Sequence, residues 1–363
     1  MIQRKGTIEL PLHTGHPPRW LFEKMVSLCR AISQIIIMEK GRDFFIQRIS
    51  SPLWFQAFGC VLGFDWHSSG LTTTVCGVLK EVFQNLSKET GIYICGGKGR
   101  VSRRTPEEIE GICNKLGVPP EGLVYASRIV AKVDNNALQD GFNLYHHTFI
   151  FTESMEWVVL QQGMSDSGWA RRYHWYSGKL YSFVKDPHQG VASDRSFLTL
   201  NMVDKDKDKL RQLVTELSSR RPEKNLKDLQ ILERNRTKMP QRHRVLLEDI
   251  NPRYLEKIFL KTYESPPESF ESLLSTEGIG AKTLRALALI GDLIYGEPLS
   301  FQDPARFSFA HGGKDGYPYR INKNFYQNTI DILERAVQRA KIGYTDKLKA
   351  LRRIQKFYAG GGK

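Results

Sequence analysis

The chain has 363 residues, 40% of them hydrophobic, 25% charged and 11% aromatic, too long for one ordinary domain and ample for two self-supporting cores. No window approaches the ~18 uncharged apolar residues of a spanning helix, and five scattered cysteines without a C-x-x-C pair argue against a zinc ribbon or an iron–sulfur cluster. Fifty-three Lys and Arg against 39 Asp and Glu leave a formal charge of +14, a surface that repels itself unless a polyanion neutralises it.

The opening residues lead into Pro11, Leu12 and His13 rather than an apolar signal core, so a cytoplasmic protein is expected. The first predicted element is a helix over 19–39, with Trp20, Leu21, Met25, Leu28, Ile32, Ile35 and Ile36 around much of its circumference. Ser68, Ser69 and Gly70 begin a second, over 72–86. β-rich runs follow at 91–95, 123–133, 144–152, 156–161 and 179–184, and Thr105-Pro106-Glu107-Glu108 among them marks a helix start. Helices first and strands later give a mixed domain over 1–204, either α/β or α+β. A mixed-charge run, Asp204 to Lys209, opens a linker helix over 205–224. Further helices are predicted at 225–236, 245–262, 269–275, 281–295, 323–341 and 345–357, an all-α domain over 225–345 with a basic tail over 346–363. No internal repeat is visible. The charge divides at the same place: 22 Lys and Arg against 19 Asp and Glu before residue 205, and 31 against 20 after it. DNA is the expected partner, with RNA left open because both offer the same backbone phosphates.

The most specific motif runs from Leu273 to Arg285. Leu273 and Leu274 close one predicted helix; Leu284, Leu287 and Ile294 line the next. Gly278, Ile279 and Gly280 turn between them, glycine permitting positive φ and close backbone approach, with Ile279 plugging the gap. The amides that follow sit at a helix N-terminus, which favours an anion. A phosphate gripped by Gly278, Ile279, Gly280, Lys282, Thr283 and Arg285 would be bound without regard to sequence. The element resembles a helix-hairpin-helix, and its surroundings are similar to DNA glycosylases of the endonuclease III and MutY type. Tyr295-Gly296-Glu297-Pro298 matches their turn, and Asp303 lies 21 residues beyond Lys282. The resemblance implies that Lys282 attacks the sugar of a flipped nucleotide while Asp303 assists departure of the base. The chain departs from that pattern at Thr276-Glu277, where Leu-Pro is usual, and over 304–316, where an arginine-bearing helix is usual.

Residues 6–190 carry more Gly, His and polar aromatics than a plain core requires. Asp65, His67, Asp140, His146, His147, Glu156 and His174 are ligand types that suit a divalent metal. Asp140 before one strand and Glu156 at the next partly match a nuclease core, in which a metal on neighbouring carboxylates activates water. Gln162 stands where that pattern has lysine. The expected metal ligands are Asp65, His67, Asp140 and Glu156, with His146 and His147 in the same site. Gly96-Gly97-Lys98-Gly99 is an incomplete P-loop, yet Lys98, Arg100, Arg103 and Arg104 make it a candidate phosphate grip. Arg171-Arg172-Tyr173-His174-Trp175 mixes cations and aromatics that stack on unpaired bases, or forms the inward side of a strand.

Through Leu10-Pro11-Leu12-His13, Trp54-Phe55-Gln56, the 63–70 run, the glycine run at 96–99 and the 171–175 run, the chain is identified as a member of the prokaryotic family of domain of unknown function 763. Membership implies no particular activity. The combined expectation is a DNA-processing or repair protein, a metal-dependent nuclease with a helix-hairpin-helix domain. The alternatives are a glycosylase/lyase acting through Lys282 and Asp303, and a non-enzymatic DNA-binding scaffold.

Overall fold

The computed structural model describes residues 18–63, 70–193, 198–248, 250–307 and 323–361. Four helices come first: α1 (Arg19–Lys40), α2 (Arg42–Ser50), α3 (Pro52–Leu62) and α4 (Gly70–Thr90). α3 is buried at nearly every position, so it can be apolar all round. Ser51 caps it by accepting from Trp54 N–H, and Pro52 fills its first position. Next come β1 (Ile92–Lys98), α5 (Arg100–Arg103), α6 (Thr105–Leu116), α7 (Glu121–Lys132), a π turn (Val133–Ala137) and β2 (Leu138–Gln139). The meander β3 (Asn143–Thr152), β4 (Trp157–Met164), β5 (Ala170–Tyr176) and β6 (Gly190–Ser193) leads to β7 (Leu200–Asn201). The remainder comprises α8 (Asp208–Ser218), α9 (Pro222–Arg234), α10 (Gln241–Glu248), α11 (Pro252–Glu264), α12 (Phe270–Ser275), α13 (Ala281–Leu293), β8 (Ala305–Phe307), α14 (Lys323–Arg339) and α15 (Tyr344–Gly361).

The main sheet has the order β1-β3-β4-β5-β6-β8, and β2 pairs with β7 separately. All neighbours are antiparallel except β6 and β8. Strand side chains alternate between faces, so the sheet feeds two cores. Ile92, Ile94, Ile150, Val158 and Leu160 pack towards α1–α4, α14 and α15. Cys95, Phe149, Phe151, Val159, Tyr173 and Trp175 pack towards α6–α13. Helices on both faces are why β3 and β4 read as nearly continuous apolar runs. The fold is mixed α/β, with a helical C-terminal region.

Three predicted elements differ. Residues 123–133 form α7 and part of the π turn instead of a strand. Leu123, Val124, Ser127 and Val130 are buried at helical spacing, and that burial outweighs the β-branched composition. Residues 179–184 join no ladder; Phe183 instead stacks parallel to Trp157 at 6.2 Å. The helix predicted over 245–262 is two, because Asn251 caps α11 and Pro252 starts it. The region predicted as all-α also contributes β8 to the sheet.

Candidate functional site

A cavity of about 300 Å³ opens between α5, α6 and α7 and the adjoining end of the sheet. Arg103, Arg128 and Lys132 rim it; Ser127, His147 and Gln161 line its inner end. The glycine run makes this arrangement possible. Gly96 has φ +83°, and a Cβ there would lie 2.2 Å from His147 O and 2.4 Å from Thr105 Oγ1. Only glycine lets β1 press this closely on β3. Gly96 N–H donates to Glu108 Oε2 at 2.9 Å, while Lys80 Nζ donates to Gly96 O at 2.8 Å and to Glu108 at 2.7 Å. Towards the start of β3, its ladder with β4 slips between Leu144 and His146. This bulge at Tyr145 turns Leu144 to the same face as His147, towards the cavity. Gly96 is therefore explained by packing, and the run leaves Lys98, Arg100, Arg103 and Arg104 exposed beside the opening.

Behind Ser127 stands a chain of side chains with one direction of donation. Gln161 Nε2 donates to Asp134 Oδ2 at 2.5 Å and to Val130 O at 3.2 Å, both pure acceptors. Its Oε1 must therefore accept, from His147 Nδ1 at 2.8 Å. With the ring proton on Nδ1, His147 Nε2 carries the lone pair that meets Ser127 Oγ at 2.9 Å. Burial lowers the His147 pKa, while Gln161 and Asp134 pull the other way, so the ring is neutral near pH 7. Asp134 also accepts from Trp175 Nε1 at 2.8 Å and pairs with His188 Nε2 at 2.5 Å. Its carboxylate anchors the whole row.

The residues singled out in the sequence fall into several places. His146 and His147 both border the cavity, and the His146 ring meets Thr148 Oγ1 at 2.9 Å. Burial pushes the His146 pKa down to about 3. Asp140 and Asp303 come together, though not around an open position. Arg171 donates to Asp140 Oδ2 at 2.9 Å and to Asp303 Oδ2 at 2.7 Å, with its side chain fully buried. Tyr173 OH adds a bond to Asp140 at 2.7 Å, and the backbone N–H groups of Phe142 and Ala305 close both carboxylates. Asp140 is thus half of a core ion pair, and Arg171 fastens the β8 segment through Asp303. Arg172 is buried on the other face, donating to His174 Nε2 at 2.8 Å, Gln56 at 3.0 Å and Thr72 at 3.3 Å. Glu156 binds the Tyr176 hydroxyl. Among the described residues no three His, Cys, Asp or Glu side chains converge as a metal site. Asp65 and His67 lie outside the described residues.

The turn between α12 and α13 lies close to the cavity wall. Lys132 Nζ, on that wall, donates to the carbonyls of Leu274, Ser275 and Thr276 at 2.9, 2.9 and 3.0 Å, a cation at a helix C-terminus. Ile279 is 3% exposed, filling the space between the helices as its pattern predicts. Gly278, at φ +91°, and Lys282 are exposed. Thr283 is buried, and Arg285 Nε is engaged internally with Gln139 Oε1 at 2.7 Å. A desolvated lysine facing a free carboxylate is not what Lys282 and Asp303 form, since one is exposed and the other is bound to Arg171.

A family model described as protein of unknown function, DUF763, matches residues 6–321. No curated protein and no solved structure matches the chain. Among the described residues no helix is long and apolar enough to cross a membrane.

Proposed function

The chain belongs to the DUF763 family of proteins of unknown function, a description without an activity, and we propose from the geometry that it binds nucleic acid by the phosphate backbone and processes DNA. The observation that carries this reading is Lys132. It rims a cavity that Arg103 and Arg128 also face, and it holds the carbonyls leading into the glycine turn. Both features suit phosphate. Exposed Gly278 and half-buried Gly280, with nothing within 4 Å of a Cβ at either, would admit a sugar–phosphate backbone closely. The amides of 281–283 precede the first intrahelical bond of α13, from Leu284 N–H to Gly280 O, and favour an anion. Buried Ile279 and exposed Lys282 support reading residues 273–285 as a helix-hairpin-helix. The core ion pair of Asp303 disfavours base excision, and the cavity favours an enzyme over a scaffold.

Fluorescence anisotropy of the full chain with duplex DNA, single-stranded DNA and RNA tests this. Affinity should fall steeply between about 50 and 200 mM salt, through counterion release. Arg103→Glu with Arg128→Glu should lower it tenfold or more and reduce the salt slope by about two. Gly280 has extended backbone and nothing within 4 Å of a Cβ, so Gly280→Leu should weaken binding while leaving the melting temperature unchanged. Absence of binding to every nucleic acid at low salt would sink the reading.

A further inference from the structure

The row Asp134, Gln161, His147, Ser127 ends at the cavity, and its polarity sets what Ser127 can do. Each donor is fixed by the one before it, so the Ser127 hydroxyl gives its proton to His147 Nε2 and keeps its oxygen lone pairs free of that bond. This is the geometry of a nucleophile beside a base whose other nitrogen is held by an orienting group. Three cations rim the cavity and no carboxylate lines it. The substrate that fits is an anionic ester, and phosphate esters combine negative charge with an electrophilic centre.

We infer that Ser127 is a nucleophile towards a phosphodiester, with His147 as its general base and Gln161 as the residue that positions the imidazole. The class of diester, a nucleic-acid backbone, rests on the binding reading above. Ser127 Oγ forms a bond to phosphorus, and its proton passes to His147 Nε2. The bond from phosphorus to the leaving alkoxide breaks, and His147 returns the proton to that oxygen. Water then attacks the phosphorus of the serine phosphodiester so formed, which keeps the second ester group, and gives its proton through His147 to Ser127 Oγ as the Oγ–phosphorus bond breaks. The sum is one diester and one water becoming one alcohol and one phosphomonoester. Arg103 and Arg128 offset the charge that builds on the phosphoryl oxygens. Gln161 Oε1 stabilises the transient imidazolium through Nδ1–H, with the Asp134 carboxylate behind it.

The test uses the full chain and small probes, so that it does not depend on nucleic-acid binding. A fluorophosphonate should add once, at Ser127, as read by intact mass and peptide mapping. Bis(p-nitrophenyl) phosphate should be hydrolysed. Ser127→Ala should abolish both, and His147→Asn should slow both at least a hundredfold, with melting temperatures near that of the parent. Ser127→Cys, which keeps a nucleophile of similar size, should retain measurable labelling. Gln161→Leu should lower kcat with KM held, and shift the acid limb of the pH profile as the imidazole loses its orientation. A folded protein unlabelled at Ser127 overturns the proposal. So does labelling with turnover of p-nitrophenyl acetate or of the phosphomonoester but not of the diester. Diester cleavage without nucleic-acid binding would keep the nucleophile and remove the binding reading. Binding without labelling or cleavage would do the reverse.

Discussion

β3 buries His147 on one face of the sheet and β5 buries His174 on the other, and the two faces use them differently. Both rings have a fixed tautomer. His174 donates from Nδ1 to Ser50 O at 2.9 Å and accepts at Nε2 from Arg172. That acceptor is filled by a guanidinium, which does not give up its proton, so His174 is a strut. His147 accepts from a hydroxyl at the edge of a cavity. Burial depresses both pKa values, so burial does not separate them. The donor at Nε2 does.

The two neighbouring arginines give the largest expected difference between the faces. Arg171→Leu leaves Asp140 and Asp303 without their shared cation, at a cost of about 3–5 kcal/mol. Arg172→Leu takes a donor from neutral acceptors, His174 and Gln56, and should cost about 1–3 kcal/mol. Urea unfolding measures both, and equal losses would break the comparison. Acid comes next. His146, His147 and His174 have folded pKa values below the unfolded value of about 6.5. The unfolded chain therefore takes up protons first. Their contribution is complete above about pH 6.5 and declines as pH falls towards the folded values, by up to about 1.4 kcal/mol per unit per histidine. His174 is depressed the more strongly, so His174→Asn should flatten urea midpoints across pH 5, 6 and 7 more than His147→Asn does. The β1 turn sharpens the comparison on a smaller scale. Gly96→Ala should cost about 1–3 kcal/mol through positive φ and overlap with His147 O. Gly99→Ala, at φ +64° with open space around it, should cost about 1 kcal/mol by thermal melting. The smallest effect belongs to Ser127→Ala, within about 1 kcal/mol in the same assay, because it removes one hydrogen bond.

Periodicity alone located most of the framework. The 19–39 pattern is α1, the pattern at 281–295 is α13, and the runs at 144–152 and 156–161 are β3 and β4. The failures have physical causes. Val124, Ile129 and Val130 give α7 a strand-like composition, and Ser127 lies hidden on that misread segment. Gln161 was visible as a polar residue closing the apolar run Val158-Val159-Leu160. Its meaning was not visible, because it depends on a helix some thirty residues earlier. The sequence reading takes Asp140 as a metal ligand, Asp303 as the carboxylate that assists base departure, and the 171–175 run as a base-stacking surface or the inward side of a strand. They are buried because they satisfy one another, which spacing along a chain does not reveal. The histidines at 146 and 147 are, by type, suited to a metal-dependent site, and the geometry gives His147 a serine.

α14 and α15 cover the helices that begin the fold, and Lys24 bonds to Asp346, 322 residues further along. A ribosome adds about 5–20 residues each second. The apolar sides of α1 and α3 therefore leave the exit tunnel about 15–60 seconds before their cover exists. Met25, Ile32, Phe58 and Val61, all 1% exposed or less in the finished structure, must be kept from other chains for that interval. Contacts so distant also slow the search for the native state. Chaperone occupancy on translating ribosomes should thus rise once α3 has emerged and fall only after α15 does.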